Sequence, residues 1–230
     1  MITVETIRER HSVREYDGKS SSGLSSRAWC RSGGIRARKR LDIQLVGDNP
    51  EVFNVIARFG LIRGCRTHVA FVVDDAKAGD VAADEAIGYW GQKIVLAAQD
   101  MGSIRAGARC ARARNRAPLW RRGRKFAWSL RWATGKRKAF HGRRKNVEAL
   151  SSVECAKRRR GLRRPWKAAQ LAPTAMNNQN FKITLLSERE TVRIDAPQSG
   201  LNVIDEGIVR CNFEIAANEA GADWRWERDI

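Results

Sequence analysis

Apolar positions recur along this chain in separated stretches, and between them the pattern is lost. Thr3 to Arg14 carries apolar positions at helical spacing and predicts an amphipathic helix, with Glu5 near its start suited to the helix dipole. Thr3 followed by Thr6 is not the Ser/Thr-x-x-Glu/Gln box. Leu41-Asp42-Ile43-Gln44-Leu45-Val46 alternates apolar and polar, as a half-buried strand does. Asp48-Asn49-Pro50 follows as a turn. His68-Val69-Ala70-Phe71-Val72-Val73 is an unbroken apolar run ended by Asp74-Asp75, the signature of a buried strand. Asp84 to Met101 predicts a long helix with Ile87, Ile94, Ala97, Ala98 and Met101 on one face, stopped by Gly102. Phe181 to Leu186 alternates again, and Thr191 to Ile194 is its expected pairing partner. Ile204 to Ala220 predicts a second long helix, stopped by Gly221.

The two long helices resemble each other. An offset of 119 residues places Gly88 on Gly207, Ala97 and Ala98 on Ala216 and Ala217, and Gly102 on Gly221. The pairs Leu96/Ile215, Gln99/Asn218 and Asp100/Glu219 are similar, and strands precede both helices. An internal repeat with halves of about 1–115 and 116–230 is expected.

Charge changes this picture, because it is confined. Residues 18–40 carry seven Lys/Arg and no acid, and residues 104–168 carry 23 Lys/Arg and two acids; the remainder is acidic, at −9 within the total of +19. The chain is thus an acidic globular sequence interrupted by two basic segments, in neither of which a sustained period of 3.6 or 2 is apparent. A length of 230 residues with 43% apolar side chains suits one large domain or two small ones, and a real core; a single domain is expected. No run approaches the ~20 apolar residues of a membrane span, and the first ten residues contain no signal-peptide core. Five scattered cysteines without C-x-x-C argue against a disulfide framework or a zinc site and for the cytoplasm, and three histidines argue against His-rich metal chemistry.

Two constellations carry chemistry. In Arg10-His11-Ser12-Val13-Arg14 the two arginines stand at i and i+4, so on a helix both forked guanidinium groups share a face and suit a phosphate; a plain charged helix face gives the same spacing. Pro173-Thr174-Ala175-Met176-Asn177-Asn178-Gln179 joins a helical approach, ended by the proline, to a strand. Its small residues and amides suit the edge of a flat hydrogen-bonding ring; an Asn-rich turn would look the same.

Taken together, these residues resemble the FMN-dependent nitroreductase family. Arg10, Ser12 and Arg14 match its R-x-S-x-R-type run, and Pro173, Thr174, Asn177 and Gln179 match its P-S/T-x-x-N-x-Q signature. Gly88 to Gly102 looks like its central helix. The second signature falls late in the chain, as in the fused, internally duplicated branch whose single chain mimics a dimer. The resemblance covers 1–17, 41–103 and 168–226 and departs at the basic segments. Their Arg, Trp, Gly, Ser and Cys content is that of a G/C-rich gene read out of frame, so 18–40 and parts of 104–168 are expected to be frame-shifted or degenerate.

The resemblance implies an α+β fold: a mixed, mostly antiparallel sheet flanked by helices, in two pseudo-equivalent halves. It implies FMN with Arg10, His11, Ser12 and Arg14 at its phosphate, and Pro173, Thr174, Asn177 and Gln179 at the ring edge or ribityl chain. NAD(P)H would be the electron donor and a nitroaromatic, quinone or similar small molecule the acceptor, in a monomer (a pseudo-dimer) or a homodimer. No side-chain acid or base is required, and no catalytic residue is assigned. Two rival readings follow from the basic segments: a nucleic-acid-binding protein, in which Arg contacts phosphates and Trp stacks on bases, and a non-catalytic remnant of the family fold.

Overall fold

The computed structural model describes residues 2–12, 41–46, 67–74, 80–100, 124–132, 144–153, 163–186 and 190–228. The Asp48–Pro50 turn, Gly102, Arg14 and the whole of 18–40 lie outside them. The chain forms two compact units. The first comprises Met1–Glu9, Asp84–Gln92 and Gly142–Ile230; the second comprises Arg10–Ala83 and Lys93–His141.

The second unit holds a three-stranded antiparallel sheet in the order β1 (Leu41–Val46), β2 (Thr67–Asp74), β3 (Arg124–Trp132). Leu41 pairs with Val73 and Val46 with His68, so the register sets the alternation of β1 against the apolar run of β2. Val69 to Val73 are all buried, which explains why β2 shows no alternation: both of its faces are covered. β3 corrects the sequence reading, for it lies inside the second basic segment. Phe126, Trp128, Leu130 and Trp132 do alternate there, with Ala127, Ser129 and Arg131 between them, and the pairing with β2 shifts register between Phe71 and Val72.

The first unit is built on a buried helix. α1 (Val4–Glu9) is shorter than the sequence predicts, and Arg10 to Ser12 are not helical. Its start is capped reciprocally: Thr6 N–H donates to the Thr3 hydroxyl at 3.4 Å and Thr3 N–H to the Thr6 hydroxyl at 3.2 Å. Thr6 therefore takes the place that Glu or Gln occupies in the usual box. α2 (Val81–Asp100) contributes its 84–92 stretch to this unit. Three elements follow from the second basic segment: α3 (Val147–Leu150), β4 (Ser151–Val153) and the start of α4 (Arg163–Gln170), whose Pro165, Ala168 and Ala169 are buried. β5 (Lys182–Leu185) and β6 (Thr191–Asp195) pair antiparallel as expected, Ile183 opposite Ile194. β4 runs parallel to β5, and β7 (Arg225–Trp226) parallel to β6, so this second sheet is mixed.

α5 (Leu201–Glu219) starts three residues earlier than the sequence predicts and ends as expected, with Gly221 at φ 59° and Ala222 N–H returning to Ala217 O at 3.0 Å. It is buried all round from Val203 to Phe213, including Asp205, Glu206, Arg210 and Asn212. A helix in that position must place every polar group. Gln92 Nε2 donates to Asn212 Oδ1 at 2.8 Å, and Asn212 Nδ2 donates to Ala168 O at 3.0 Å, which ties α2, α5 and α4 together. Tyr89 OH donates to Glu214 at 2.6 Å. α2 and α5 touch backbone to backbone at Gly88 and Gly207, where a Cβ would lie 2.0 Å from Ile204 O and from Glu85 O respectively.

Candidate functional site

α4 delivers the chain to a short 3₁₀ turn at Ala175–Asn177, and Thr174 to Gln179 form a loop of uncommon backbone shape before β5. Met176, Asn177 and Gln179 all have positive φ, at 50°, 57° and 47°. None is glycine, so each carries a local cost that surrounding contacts must offset.

Those contacts are specific. The Thr174 hydroxyl accepts the Gln179 N–H at 3.0 Å and closes the loop. The Gln179 side chain is buried: its Oε1 accepts from Lys145 N–H at 2.7 Å and its Nε2 donates to Gln170 O at 2.9 Å. Lys145 Nζ donates to Gln179 O at 3.0 Å, and Gln170 Nε2 donates to Lys145 O at 2.6 Å. Lys145 belongs to the second basic segment, so part of that segment supports the loop. On the other side both carboxylate oxygens of Asp205 accept from Ala175 N–H, at 3.0 and 2.9 Å. Burial pushes the Asp205 carboxyl up to about 7, and the Ala175 N–H pulls it partly back.

Asn177 and Asn178 are exposed, and Met176 is 84% exposed. Of the four residues expected at the ring edge, Asn177 thus offers its side chain outward. Thr174 and Gln179 are buried and hold the loop's shape, and Pro173 is half-buried at its entrance. Arg10, His11 and Ser12 belong to the other unit. There Arg10 and His11 are buried, and Arg10 Nη1 lies 3.5 Å from the Ser12 hydroxyl. α1 ends at Glu9, so Arg10 lies outside the helix on which the i, i+4 spacing was expected, and Arg14 lies outside the described residues. Sequence reasoning passed over Asp205, Gln170 and Lys145. Asp205 left a signal: an Asp-Glu pair breaks the apolar run between Ile204 and Ile208.

A cavity of about 330 Å³ opens elsewhere in the first unit, along β6 and beside Arg210 and Arg228. Its charges neutralise one another. Arg193 approaches Asp195 at 3.4 Å and Glu227 at 4.0 Å, and Arg210 is held by Glu85 and Glu206. Among the described residues, none of the signature positions lines it.

The sheets flanked by helices form a nitroreductase-like fold. The family model described as "Putative TM nitroreductase" matches residues 2–217, and the chain belongs to that family. Among solved structures, a "putative nitroreductase" from Thermotoga maritima superposes with a TM-score of 0.64 at 19% identity, covering 95% of this chain and 85% of that one. A "putative nitroreductase in complex with fmn" from Desulfovibrio desulfuricans gives 0.47 at 17% identity, covering 64% of this chain and 94% of that one. A "Putative NADH dehydrogenase/NAD(P)H nitroreductase" from Parabacteroides distasonis gives 0.46 at 20%, covering 63% and 94%. No curated protein matches the sequence. No helix among the described residues is long and apolar enough to cross a membrane.

Proposed function

We propose that this protein is an FMN-dependent oxidoreductase that takes electrons from NAD(P)H and reduces nitroaromatics, quinones or similar small acceptors in the cytoplasm. The observation that carries the reading is the Thr174–Gln179 loop. A non-glycine backbone held at positive φ in three places, inside the stretch that resembles the P-S/T-x-x-N-x-Q signature, supports ligand recognition there. The residues present fit FMN by the chemistry of their donors: guanidinium and hydroxyl groups for a phosphate, exposed amides for a ring edge. Bound FMN would supply the two-electron chemistry between nicotinamide and acceptor.

The chain's own residues bind and orient. Arg10 and Arg14 neutralise the phosphate, with His11 and Ser12 adding hydrogen bonds. Asn177 addresses the ring edge with its amide. Pro173 fixes the loop's entry, and Thr174 and Gln179 preorganise its backbone N–H groups from behind. The reciprocal contact of the two long helices supports the internal duplication as well. The 119-residue offset that maps Gly88 onto Gly207 also maps Glu85 onto Ile204, so each glycine meets the counterpart of the residue that meets the other. A duplicated chain carries its own pseudo-dimer and can act as a monomer or pair further into a homodimer.

The phosphate assignment separates two flavins. Arg14→Ala is expected to weaken FMN binding about tenfold or more, the loss of one charge-assisted contact, while leaving riboflavin affinity unchanged. Fluorescence-quenching titrations with each flavin measure both. Equal weakening of FMN and riboflavin, or no effect on either, would remove Arg14 from the phosphate.

A further inference from the structure

Asp205 is unusual among the buried polar groups of α5. Glu206 and Arg210 face ionic partners, and Asn212 sits in an amide network. The carboxylate of Asp205 instead has both oxygens on a single main-chain N–H, that of Ala175. Ala175 is the residue immediately before the left-handed run, and 30 residues separate it from Asp205 in sequence. We propose that Asp205 is a positioning residue for the flavin loop: its carboxylate fixes Ala175 N–H and thereby holds Met176, Asn177 and Gln179 in the left-handed shape that turns Asn177 outward.

The ionised form is the one that holds. A carboxylate accepts from a backbone N–H more strongly than a neutral carboxyl does. Burial raises this group to about 7, and no charged side chain contributes to its shift. The surroundings agree. On the neighbouring α1, Glu5, Arg8 and Glu9 are exposed, and on α4 so are Arg163, Arg164 and Lys167. Glu206 of α5 itself and Glu85 of α2 are committed to Arg210, and Asp84 of α2 is half-buried.

Two opposite pH trends then follow. A carboxyl raised in the folded state contributes stability that is present below its unfolded value and lost as pH rises through its folded value, here about 7. On account of this group, global stability should therefore fall as pH rises from its ordinary 3.8 to about 7 and level off above, where both states are ionised. The loop should do the reverse and tighten, because its latch becomes charged. A residue with only a structural role would loosen the loop and the fold together.

The inference rests on the flavin reading for its function but not for its first test. Backbone amide exchange at 174–179, corrected for intrinsic pH dependence, is measured on the full chain without added flavin. The wild type is expected to gain protection there as pH rises through about 7. Asp205→Asn, which keeps one carbonyl oxygen for Ala175 N–H, should be protected but flat with pH. Asp205→Ala should exchange about tenfold faster at pH above 7. Unchanged exchange in Asp205→Ala, or a wild-type loop that loosens as pH rises, overturns the proposal; should Asp205→Ala fail to fold, the wild-type and Asp205→Asn profiles decide it. FMN titration is the second arm. Affinity that follows the loop's protection in wild type and is flat in Asp205→Asn supports the link to the flavin. Absence of FMN binding with the exchange profile intact overturns the flavin reading and with it that link, while leaving Asp205 as the loop's latch.

Discussion

Gly207→Val is expected to cost more than about 3 kcal/mol, the upper end of ordinary overpacking, and to leave the first unit without its central helix contact. The reason is what the new side chain meets. A Cβ at Gly207 would lie 2.0 Å from Glu85 O and 2.7 Å from Tyr89 N, both backbone atoms of α2. Backbone cannot rotate aside as a side chain can, so the helices must separate. Separation would strain the Gln92–Asn212 pair and the Arg210 ion network that spans the same interface. Gly88→Val meets Ile204 O in the same way. Combining the two should cost less than their sum, because the first already parts the helices. Gly221→Ala is the control: φ is 59° there but nothing lies within 4 Å, so only the left-handed penalty of about 1–2 kcal/mol applies. Chemical denaturation followed by circular dichroism ranks the variants. A Gly207→Val protein with the stability of Gly221→Ala would show that α2 and α5 do not touch as described.

Arg210→Met should be the next most damaging change, by about 3–5 kcal/mol, the cost of leaving buried charge without its partner. Arg210 and Glu85 are both almost fully buried, with Arg210 Nε 2.6 Å from Glu85 Oε1; the N–H does not point along that line, so the contact is an ion pair. Arg210 Nη2 lies 3.3 Å from Glu206 Oε1, and its guanidinium stacks 4.6 Å from the Trp226 ring. Arg228 closes the cluster at 3.0 and 3.1 Å from the two glutamates, but it is half exposed and offsets less. Burial already raises the Glu85 carboxyl against the pull of Arg210. Removing Arg210 raises it further. The stability this group contributes is present below its ordinary 4.5 and lost as pH rises through its folded value, so the variant's deficit relative to wild type should shrink on acidification. A Glu85→Leu/Glu206→Leu/Arg210→Met triple variant should recover much of the loss, since well-packed apolar groups can replace a buried ion cluster. A deficit that does not change with pH would mean the carboxylates find other partners.

These two variants concern elements that were largely legible in sequence. α2, α5, β1, β2, β5 and β6 announced themselves because burial imposes a period on apolar residues, or an apolar run where both faces are covered. β3 did not, because Arg124, Lys125 and Arg131 obscure the alternation of Phe126, Trp128, Leu130 and Trp132. Within 104–168, of which parts are expected to be degenerate, 124–132, 147–153 and 163–168 take regular structure, and Lys145 and Gln170 secure the signature loop. α1 was overextended because its apolar spacing continues past Glu9 while its backbone does not.

The candidate site was half legible. The signature picked out Thr174, Asn177 and Gln179 but could not assign them to different tasks. Only the fold reveals that Gln179 faces inward and Asn177 outward. Positive φ at Met176 and Gln179 has no sequence cue, and Asn177, a residue type that tolerates the left-handed region, gives only a weak one. Asp205 lies 30 residues from the loop it holds, and a tertiary contact of that kind leaves no local spacing to read.

The central claim is that this chain binds FMN and passes electrons through it. An absorbance spectrum of the purified protein after FMN addition and gel filtration, recorded anaerobically before and after NADPH or NADH and again after a quinone, tests it most directly. Retained flavin bands that bleach with the nicotinamide and return with the quinone are expected. Protein that emerges colourless after FMN addition, or retained flavin that neither nicotinamide reduces, would contradict it.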